Sequence, residues 1–255
     1  MITRAPEQAE DIVSRLTEAG AEIITLPMVR FVETADAAGL DGSIAALERF
    51  DWLIFTSANA VRFFLERCRI LGRWPLPPGP LCAVVGQATR TALEAEGLHA
   101  AFMPREPSAE ALAAELAGVL AGKHVLVPRS DRAGDELVAA LRAAGATVTP
   151  VVAYGTAMPE SFDATALAAL RDGGADAVAF FSPSAFHNFA RALGSEGLRE
   201  LRGRVALAAI GPTTAAAIRE AGVPVAVEAP EATADSFVAA LERYFAPRAA
   251  KEERI

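Results

Sequence analysis

Four short stretches of the sequence end an apolar run on glycine or hydroxyl residues, at points where a helix is expected to begin. A helix N-terminus presents unpaired N–H groups and about half a positive charge. Glycine lets a ligand approach the backbone closely, and a hydroxyl adds a neutral hydrogen-bond donor. Together the stretches are suited to bind carboxylates or phosphates without Lys or Arg. They are FTSAN (55–59), VGQAT (85–89), FSPSA (181–185) and IGPTT (210–214).

The candidate ligand-binding residues come from these four stretches. Any single stretch is also consistent with an ordinary helix N-cap, since serine and threonine are common there. Four such stretches in equivalent positions of a repeated sequence favour a shared binding site instead. The candidates are Ser57, Asn59, Gly86, Thr89, Ser182, Ser184, Gly211, Thr213 and Thr214.

The composition limits the class of protein. The 255 residues suffice for one large or two modest domains, and a hydrophobic fraction of 52% indicates a globular protein. The net charge of −8 argues against non-specific nucleic-acid binding. No apolar run is long enough to span a bilayer and no secretory signal is visible, so a cytoplasmic protein is expected.

The sequence lacks the common cofactor and metal motifs. It contains neither GxGxxG nor GxSxG, and GVLAGKH (118–124) does not have the spacing of a phosphate-binding loop. Cys68 and Cys82 form no CxxC pair and are expected to be reduced thiols. No cofactor or metal is therefore expected, and no metal-ligand spacing links His99, His124 and His187.

The sequence repeats itself along nearly its whole length with a shift of 125 residues, as from Gly86 to Gly211. Matches of Ala or Leu alone would carry little weight in an Ala-rich chain, but Arg, Gly, Asp, Phe and Ser positions match as well. The period is far longer than that of a solenoid repeat, so it predicts a pair of duplicated domains. Matched pairs include Arg4 and Arg129, Gly20 and Gly145, Asp51 and Asp176, Phe55 and Phe180, Ser57 and Ser182, Thr89 and Thr214, and Gly97 and Gly222.

Short apolar runs alternate with helical patterns in each half, which predicts βα units and parallel sheets buried on both faces. Five strands per half suit a flavodoxin-like sheet. Two longer extended runs, 23–34 and 147–158, are candidates for strands that pass between the domains. Glycines 20, 97, 145 and 222 are expected to end helices. In the second half, helices are predicted near 132–144, 162–171, 183–193, 212–221 and 233–245.

Several stretches resemble signature stretches of the uroporphyrinogen-III synthase family. The resemblance runs in order from residue 2 to about residue 245, and its most specific part is the combination of VVAYGT, FFSPSA and AIGPTT. The stretches that carry it are LIFTSANAV (53–61), AVVGQAT (83–89), VLVPRSDRAGDELVAALRAAGATVTPVVAYGT (125–156), FFSPSAF (180–186) and AIGPTT (209–214).

The resemblance implies two flavodoxin-like parallel-sheet domains from an internal duplication, joined by a two-stranded β-ladder, with the active-site cleft between them. One domain would comprise residues 1–31 and 157–255, and the other residues 33–152. The crossing strands would be the two long runs. The sequence pattern alone would instead divide the chain near residue 122.

The resemblance also implies a lyase that closes hydroxymethylbilane to uroporphyrinogen III, releasing water and inverting ring D through a spiro intermediate. Each pyrrole of that substrate carries an acetate and a propionate, so the substrate is a polyanion of the kind that donor-rich turns suit. The reaction needs no cofactor or metal. The implied partner is this small-molecule polycarboxylate, without nucleic acid or membrane, and a monomer is expected.

Tyr154, within VVAYGT, is implied as the donor that assists departure of the terminal hydroxyl. A tyrosine phenol stays protonated at neutral pH and can act as a general acid. The alternative is a strand tyrosine whose ring packs and whose hydroxyl meets water. Val29 occupies the equivalent place in the first repeat, so the two domains are not expected to be chemically equivalent.

Other residues are implied to bind substrate carboxylates. Thr89, Thr213 and Thr214 match family positions that contact these groups. Arg4 and Arg129 follow the first strand of each repeat and are suited to pair with carboxylates bidentately, or else form surface ion pairs.

Two other functions remain open at the level of sequence. One is a non-catalytic ligand-binding or regulatory protein on the same duplicated fold. The other is a different enzyme that acts on an acidic substrate. The sequence also departs from the family in its opening MITRAP, which leaves little first strand before Arg4. Either the start is incomplete or that edge of the sheet is weak.

Overall fold

The structure is a computed structural model that describes the backbone of residues 1–252 and the side chains of residues 1–246 other than that of residue 7. The chain forms two compact units. Unit 1 comprises Met1–Arg30 together with the chain from Ala157 onward, and unit 2 comprises Phe31–Thr156.

Nine strands lie within residues 1–252. They are β1 (Arg30–Glu33), β2 (Trp52–Phe55), β3 (Leu81–Val84), β4 (Ala100–Phe102), β5 (His124–Ser130), β6 (Thr147–Ala157), β7 (Ala177–Phe180), β8 (Ala206–Ala209) and β9 (Val227–Glu228).

Ten α-helices lie within the same residues, together with short 3₁₀ helices at Pro6–Gln8 and Leu47–Arg49. The α-helices are α1 (Glu10–Glu18), α2 (Ala37–Ala45), α3 (Ala58–Ile70), α4 (Gln87–Ala95), α5 (Ala109–Leu120), α6 (Glu136–Ala143), α7 (Ala164–Arg171), α8 (Pro183–Glu200), α9 (Pro212–Glu220) and α10 (Ala234–Glu252). None of the described helices is both long and apolar enough to cross a bilayer.

The sheet of unit 2 has the strand order β1-β6-β5-β2-β3-β4, and the pairings from β6 through β4 are parallel. Strand β2 is buried on both faces because successive side chains point to opposite sides. Leu53 and Phe55 pack into one core cluster, and Trp52 and Ile54 pack into the other. The carboxyl ends of these strands therefore lie at one edge of the sheet, where α3 and α4 begin.

The sheet of unit 1 has the parallel order β7-β8-β9. Ile2 extends it through single parallel bridges to Ala179 on one side and Thr25 on the other. The N-terminal segment thus occupies the place of a first strand, as the sequence predicts, but it pairs only briefly. At the amino end of this segment, a cavity of about 480 Å³ is lined by Met1, residues 22–24, residues 174–177 and side chains of α1 and α10.

Helix ends follow the local sequence. Ser57 and Ser182 are the N-caps of α3 and α8. Gly97 and Gly222, which follow α4 and α9, have φ of 77° and 71°, the left-handed conformation that glycine adopts most easily. The next residues, Leu98 and Val223, donate backbone hydrogen bonds to the carbonyls five positions earlier, which completes a Schellman motif at both helix ends. The predicted role of these glycines is confirmed.

The fold is a mixed α/β fold with parallel sheets, as predicted, and the helices expected in the second half are confirmed. Two elements differ from expectation. Helix α8 runs past the predicted end at residue 193, with a break at Gly194, whose φ is 71°. Of the extended run predicted at 23–34, only Arg30–Glu33 forms a strand, and it pairs with β6.

Candidate active site

Ser57 and Tyr154 meet at the carboxyl edge of the unit 2 sheet, although they are 97 positions apart. Ser57 Oγ accepts the backbone N–H of Ala60 at 3.1 Å, which is the N-cap interaction of α3. The same oxygen lies 3.1 Å from Tyr154 Oη, and either hydroxyl is able to donate. Two of the residues predicted from the sequence are thus brought into direct contact.

Tyr154 is held on strand β6 by packing as well as by this contact. The residue is 6% exposed. The Phe63 ring stacks on its ring with centroids 5.4 Å apart, and the Phe31 ring meets it edge-on at 5.7 Å. Aromatic pairs in these geometries add to the stabilisation from burial alone. The ring is therefore fixed, and its hydroxyl is directed to Ser57.

Asn59 is the second residue of α3 and is 4% exposed. Its Nδ2 atom is buried without a hydrogen-bond partner among the described residues. An unpaired buried donor costs about 1–3 kcal/mol, so Asn59 is not explained by stability alone. It remains a candidate binding residue beside the Ser57–Tyr154 pair.

The strand-to-helix turn after β3 places Gly86 at the N-cap of α4 and the buried Thr89 in the first turn of that helix. No side chain caps this helix. A Cβ added at Gly86 would meet Pro107 Cβ at an ordinary 3.5 Å, so packing within the protein does not require glycine there. The open backbone is instead consistent with close approach of a ligand.

Arg129, at the end of β5, is occupied by its own loop. Its guanidinium donates to Gly134 O at 3.0 Å and to Asp135 Oδ1 at 2.7 Å. The ion pair that the sequence analysis left open as an alternative is the arrangement in the structure. Arg129 is therefore a weaker candidate for a carboxylate ligand than Arg4.

The equivalent edge of unit 1 carries the other predicted hydroxyl residues. Ser182 Oγ accepts the Ala185 N–H at 3.2 Å and lies 3.1 Å from Ser184 Oγ. Gly211 is the N-cap of α9, with Thr213 exposed and Thr214 buried in the first turn. This edge has no tyrosine partner for its serine, because Val29 stands where the repeat places Tyr154.

Arg4 lies at the same edge of unit 1, beside a cavity of about 160 Å³. Its guanidinium carbon is 5.4 Å from the centre of the Phe181 ring. Burial lowers the pKa of Arg4 from its ordinary value, and the nearby Asp11 opposes that shift. Arginine nevertheless stays charged in proteins. No hydrogen bond or ion pair joins its side chain to the part of the chain that the structure describes, so the charge is free to bind an anion.

The edge of unit 2 offers neutral donors and the Tyr154 phenol, and the edge of unit 1 offers neutral donors and the Arg4 guanidinium. Burial raises the pKa of Cys68 to about 12 and that of Cys82 to about 11, so neither thiol is a nucleophile at neutral pH. Both cysteines are buried free thiols, as predicted. Within the described residues, no group of three or more His, Cys, Asp or Glu side chains is placed to bind a metal ion.

The two phenylalanines around Tyr154 were not predicted from the sequence. Phe63 adjoins the fully buried Phe64 on α3, and apolar helix residues are expected to pack into the core. Phe31 begins unit 2 on a short strand at the edge of its sheet. Only the folded arrangement of α3, β1 and β6 shows that both rings contact the tyrosine.

These features define a mixed α/β protein whose parallel sheets each carry donor-rich turns suited to an anionic small molecule. Comparisons with known proteins are more specific. The family described as "Uroporphyrinogen-III synthase HemD" matches residues 10–239. The chain therefore belongs to the uroporphyrinogen-III synthase family, and it is a lyase of tetrapyrrole biosynthesis.

Individual relatives agree with this family. The uroporphyrinogen-III synthase of Synechococcus elongatus is 35% identical over 250 residues, which cover 96% of this chain and 94% of the relative. The fold is similar to that of the Helicobacter pylori enzyme (TM-score 0.59, 20% identity, covering 89% of this chain and 93% of that one). It is also similar to a mutant enzyme from Thermus thermophilus (TM-score 0.54, 20% identity, covering 96% and 98%).

Proposed function

We propose that this protein converts hydroxymethylbilane to uroporphyrinogen III, closing the macrocycle with loss of water and inversion of ring D. The observation that carries this proposal is the packed phenol of Tyr154, hydrogen-bonded to Ser57 at a donor-rich sheet edge, in a chain of this family. A fixed phenol is suited to assist departure of the substrate's terminal hydroxyl.

The proposed substrate explains why an acidic protein carries neutral donors at its site. Eight carboxylates on four pyrroles need many contacts. The first-turn N–H groups of α3 and α4 in unit 2, and separately those of α8 and α9 in unit 1, are donors that suit carboxylates without adding positive residues. Arg4 adds one cation at the edge of unit 1, where the planar guanidinium fits a carboxylate. The net charge of −8 is then compatible with binding a polyanion.

The proposed reaction begins at the terminal carbon–oxygen bond. That bond breaks with its electron pair on oxygen, and Tyr154 gives its hydroxyl proton to form water, leaving an electrophilic azafulvenium cation and the Tyr154 phenolate. The substituted carbon of ring D attacks, and the resulting spiro intermediate fragments and recloses with the ring inverted. The protein contributes mainly by fixing the folded substrate and excluding direct closure.

We further propose that the two units are duplicated flavodoxin-like domains joined by a ladder of β1 and β6. A shift of 125 residues carries β2 (52–55) onto β7 (177–180) and β3 (81–84) onto β8 (206–209). Unit 1 has the order Thr25, Ile2, β7, β8, β9, and unit 2 has the order β6, β5, β2, β3, β4. Both orders correspond to the flavodoxin order 2-1-3-4-5, with the chain entering unit 2 at its third strand.

The direct test supplies freshly prepared hydroxymethylbilane and resolves the isomers after oxidation. We expect the type III fraction to rise with protein concentration, because spontaneous closure gives only type I. Type I product alone at every protein concentration would contradict the proposed function and favour a binding protein on the same fold.

The role of Tyr154 is tested by Tyr154→Phe, which keeps the ring packing and removes the hydroxyl. We expect kcat to fall about 10²-fold with residual type III product, since a general acid typically contributes about 10²- to 10⁴-fold. Tyr244→Phe is the matched control, because Tyr244 is the only other tyrosine of the sequence and lies on α10. Equal rates for both variants would remove the proposed role of Tyr154.

A further inference from the structure

We propose that Ser57 is a positioning residue that donates a hydrogen bond to Tyr154 Oη while the tyrosine gives its proton to the substrate. This inference rests on the proposed function and adds a residue that acts through the tyrosine. Its basis is the set of hydrogen bonds that Ser57 and Tyr154 form. Ser57 Oγ already accepts the Ala60 N–H, and Tyr154 Oη is its second polar neighbour at 3.1 Å.

The two hydroxyls carry two hydrogens, and only one can lie between them. If Tyr154 donates to Ser57, the phenol hydrogen lies between the two oxygens and is not available to the substrate. If Ser57 donates to Tyr154, the phenol hydrogen points outward. Only the second arrangement lets Tyr154 protonate a leaving group, so Ser57 determines whether the phenol is available.

Both partners are held in place independently of each other. The Tyr154 ring is fixed between Phe63 and Phe31. Ser57 is fixed as the N-cap of the 13-residue helix α3. A contact between two anchored groups persists through the reaction, whereas a contact between mobile surface side chains would not.

The same contact stabilises the charge that the step creates. When the leaving oxygen takes the Tyr154 proton, the phenolate accepts from Ser57, and hydrogen bonds to charged oxygens are roughly twice as strong as neutral ones. The phenolate also lies at the N-terminus of α3, whose first turn contains no acidic residue. In the final closure, ring D loses a proton from carbon, and the phenolate takes that proton back. Atoms and charge therefore balance over the cycle.

The other unit shows that capping alone does not produce this arrangement. Ser182 caps α8 in the same way, through the Ala185 N–H, but its second neighbour is Ser184 Oγ. The serine–tyrosine contact is specific to unit 2, where Tyr154 takes the place that Val29 has in the first repeat.

The experiment compares Ser57→Ala, Ser57→Thr and Ser57→Asp in the full chain, with kcat and KM measured separately for formation of the type III isomer. We expect kcat of Ser57→Ala to fall about tenfold to a hundredfold with little change in KM, as for loss of one hydrogen bond to a charged group. Ser57→Thr retains a hydroxyl and should recover most of kcat. Ser57→Asp keeps the helix cap but offers no donor, so its kcat should stay low in a folded protein.

A double-mutant cycle separates positioning from a structural role. The variant with both Ser57→Ala and Tyr154→Phe should be no slower than Tyr154→Phe alone, because the serine acts through the phenol. Ser108→Ala removes a comparable N-cap, that of α5 (Ala111 N–H to Ser108 Oγ, 3.0 Å), and should lower stability but not kcat. Additive losses in the cycle, or full activity of Ser57→Asp, would overturn the inference. Absence of type III product with the unaltered protein would instead overturn the proposed function.

Discussion

Arg4 and Arg129 show how surroundings decide the use of a side chain. The repeat places both residues after the first strand of their units, and the sequence gives no reason to separate them. In the structure, Arg129 is neutralised by Asp135, only six positions away, whereas Arg4 is paired with no described residue and borders a cavity. The free charge makes Arg4 the better candidate for a carboxylate ligand.

We expect Arg4→Met to raise KM for hydroxymethylbilane about tenfold or more with a smaller effect on kcat, as a charge-assisted hydrogen bond is lost. Arg4→Lys should recover only part of the loss, because an ammonium lacks the planar fork of the guanidinium. Arg191→Met, at an exposed position of α8, controls for the change in net charge. Steady-state kinetics measure the difference, and equal KM values for Arg4→Met and Arg191→Met would contradict it.

At the scale of helices and strands, replacing glycine by alanine is expected to change stability in opposite directions at two positions. Gly97 follows α4 with φ of 77°, a conformation that costs an L-residue about 1–2 kcal/mol. Gly118 lies inside α5 on an exposed face, where glycine is less favourable than alanine by about 0.5–1 kcal/mol. An added Cβ meets nothing within 4 Å at either site, so backbone conformation alone distinguishes them.

We therefore expect Gly97→Ala to lower the free energy of unfolding by about 1 kcal/mol and Gly118→Ala to raise it by about 0.5–1 kcal/mol. Urea denaturation of both variants beside the parent chain measures the two shifts. Shifts of the same sign would contradict this account of the helix ends.

These elements also mark how far the sequence predicts the structure. Local signals suffice where one segment determines the outcome, as at the caps Ser57 and Ser182 and the terminal glycine Gly97. They do not suffice for contacts set by strand order. The meeting of Ser57 with Tyr154 requires β6, β5 and β2 to be neighbours in one register, which no local pattern specifies. The ion pair of Arg129 likewise depends on the conformation of its loop.

At the scale of the whole molecule, the 125-residue repeat places an aspartate directly before β2 in unit 2 and directly before β7 in unit 1. In unit 2, Asp51 accepts from Lys123 Nζ at 3.0 Å and from the His124 N–H at 2.8 Å, at the start of the full-length strand β5. The equivalent residue in unit 1 is Asp176, which borders the 480 Å³ cavity beside Met1. In unit 2, Val125 pairs with both Trp52 and Val148 at the corresponding position.

The burial of both native thiols has a practical consequence. Because Cys68 and Cys82 are shielded and protonated at neutral pH, a maleimide dye should leave them unmodified in the folded chain. A cysteine introduced at Glu106 in unit 2 and another at Glu231 in unit 1 would then be the only positions to take up the dye. Each label would then report changes around its own unit when substrate is added, without first removing a natural residue.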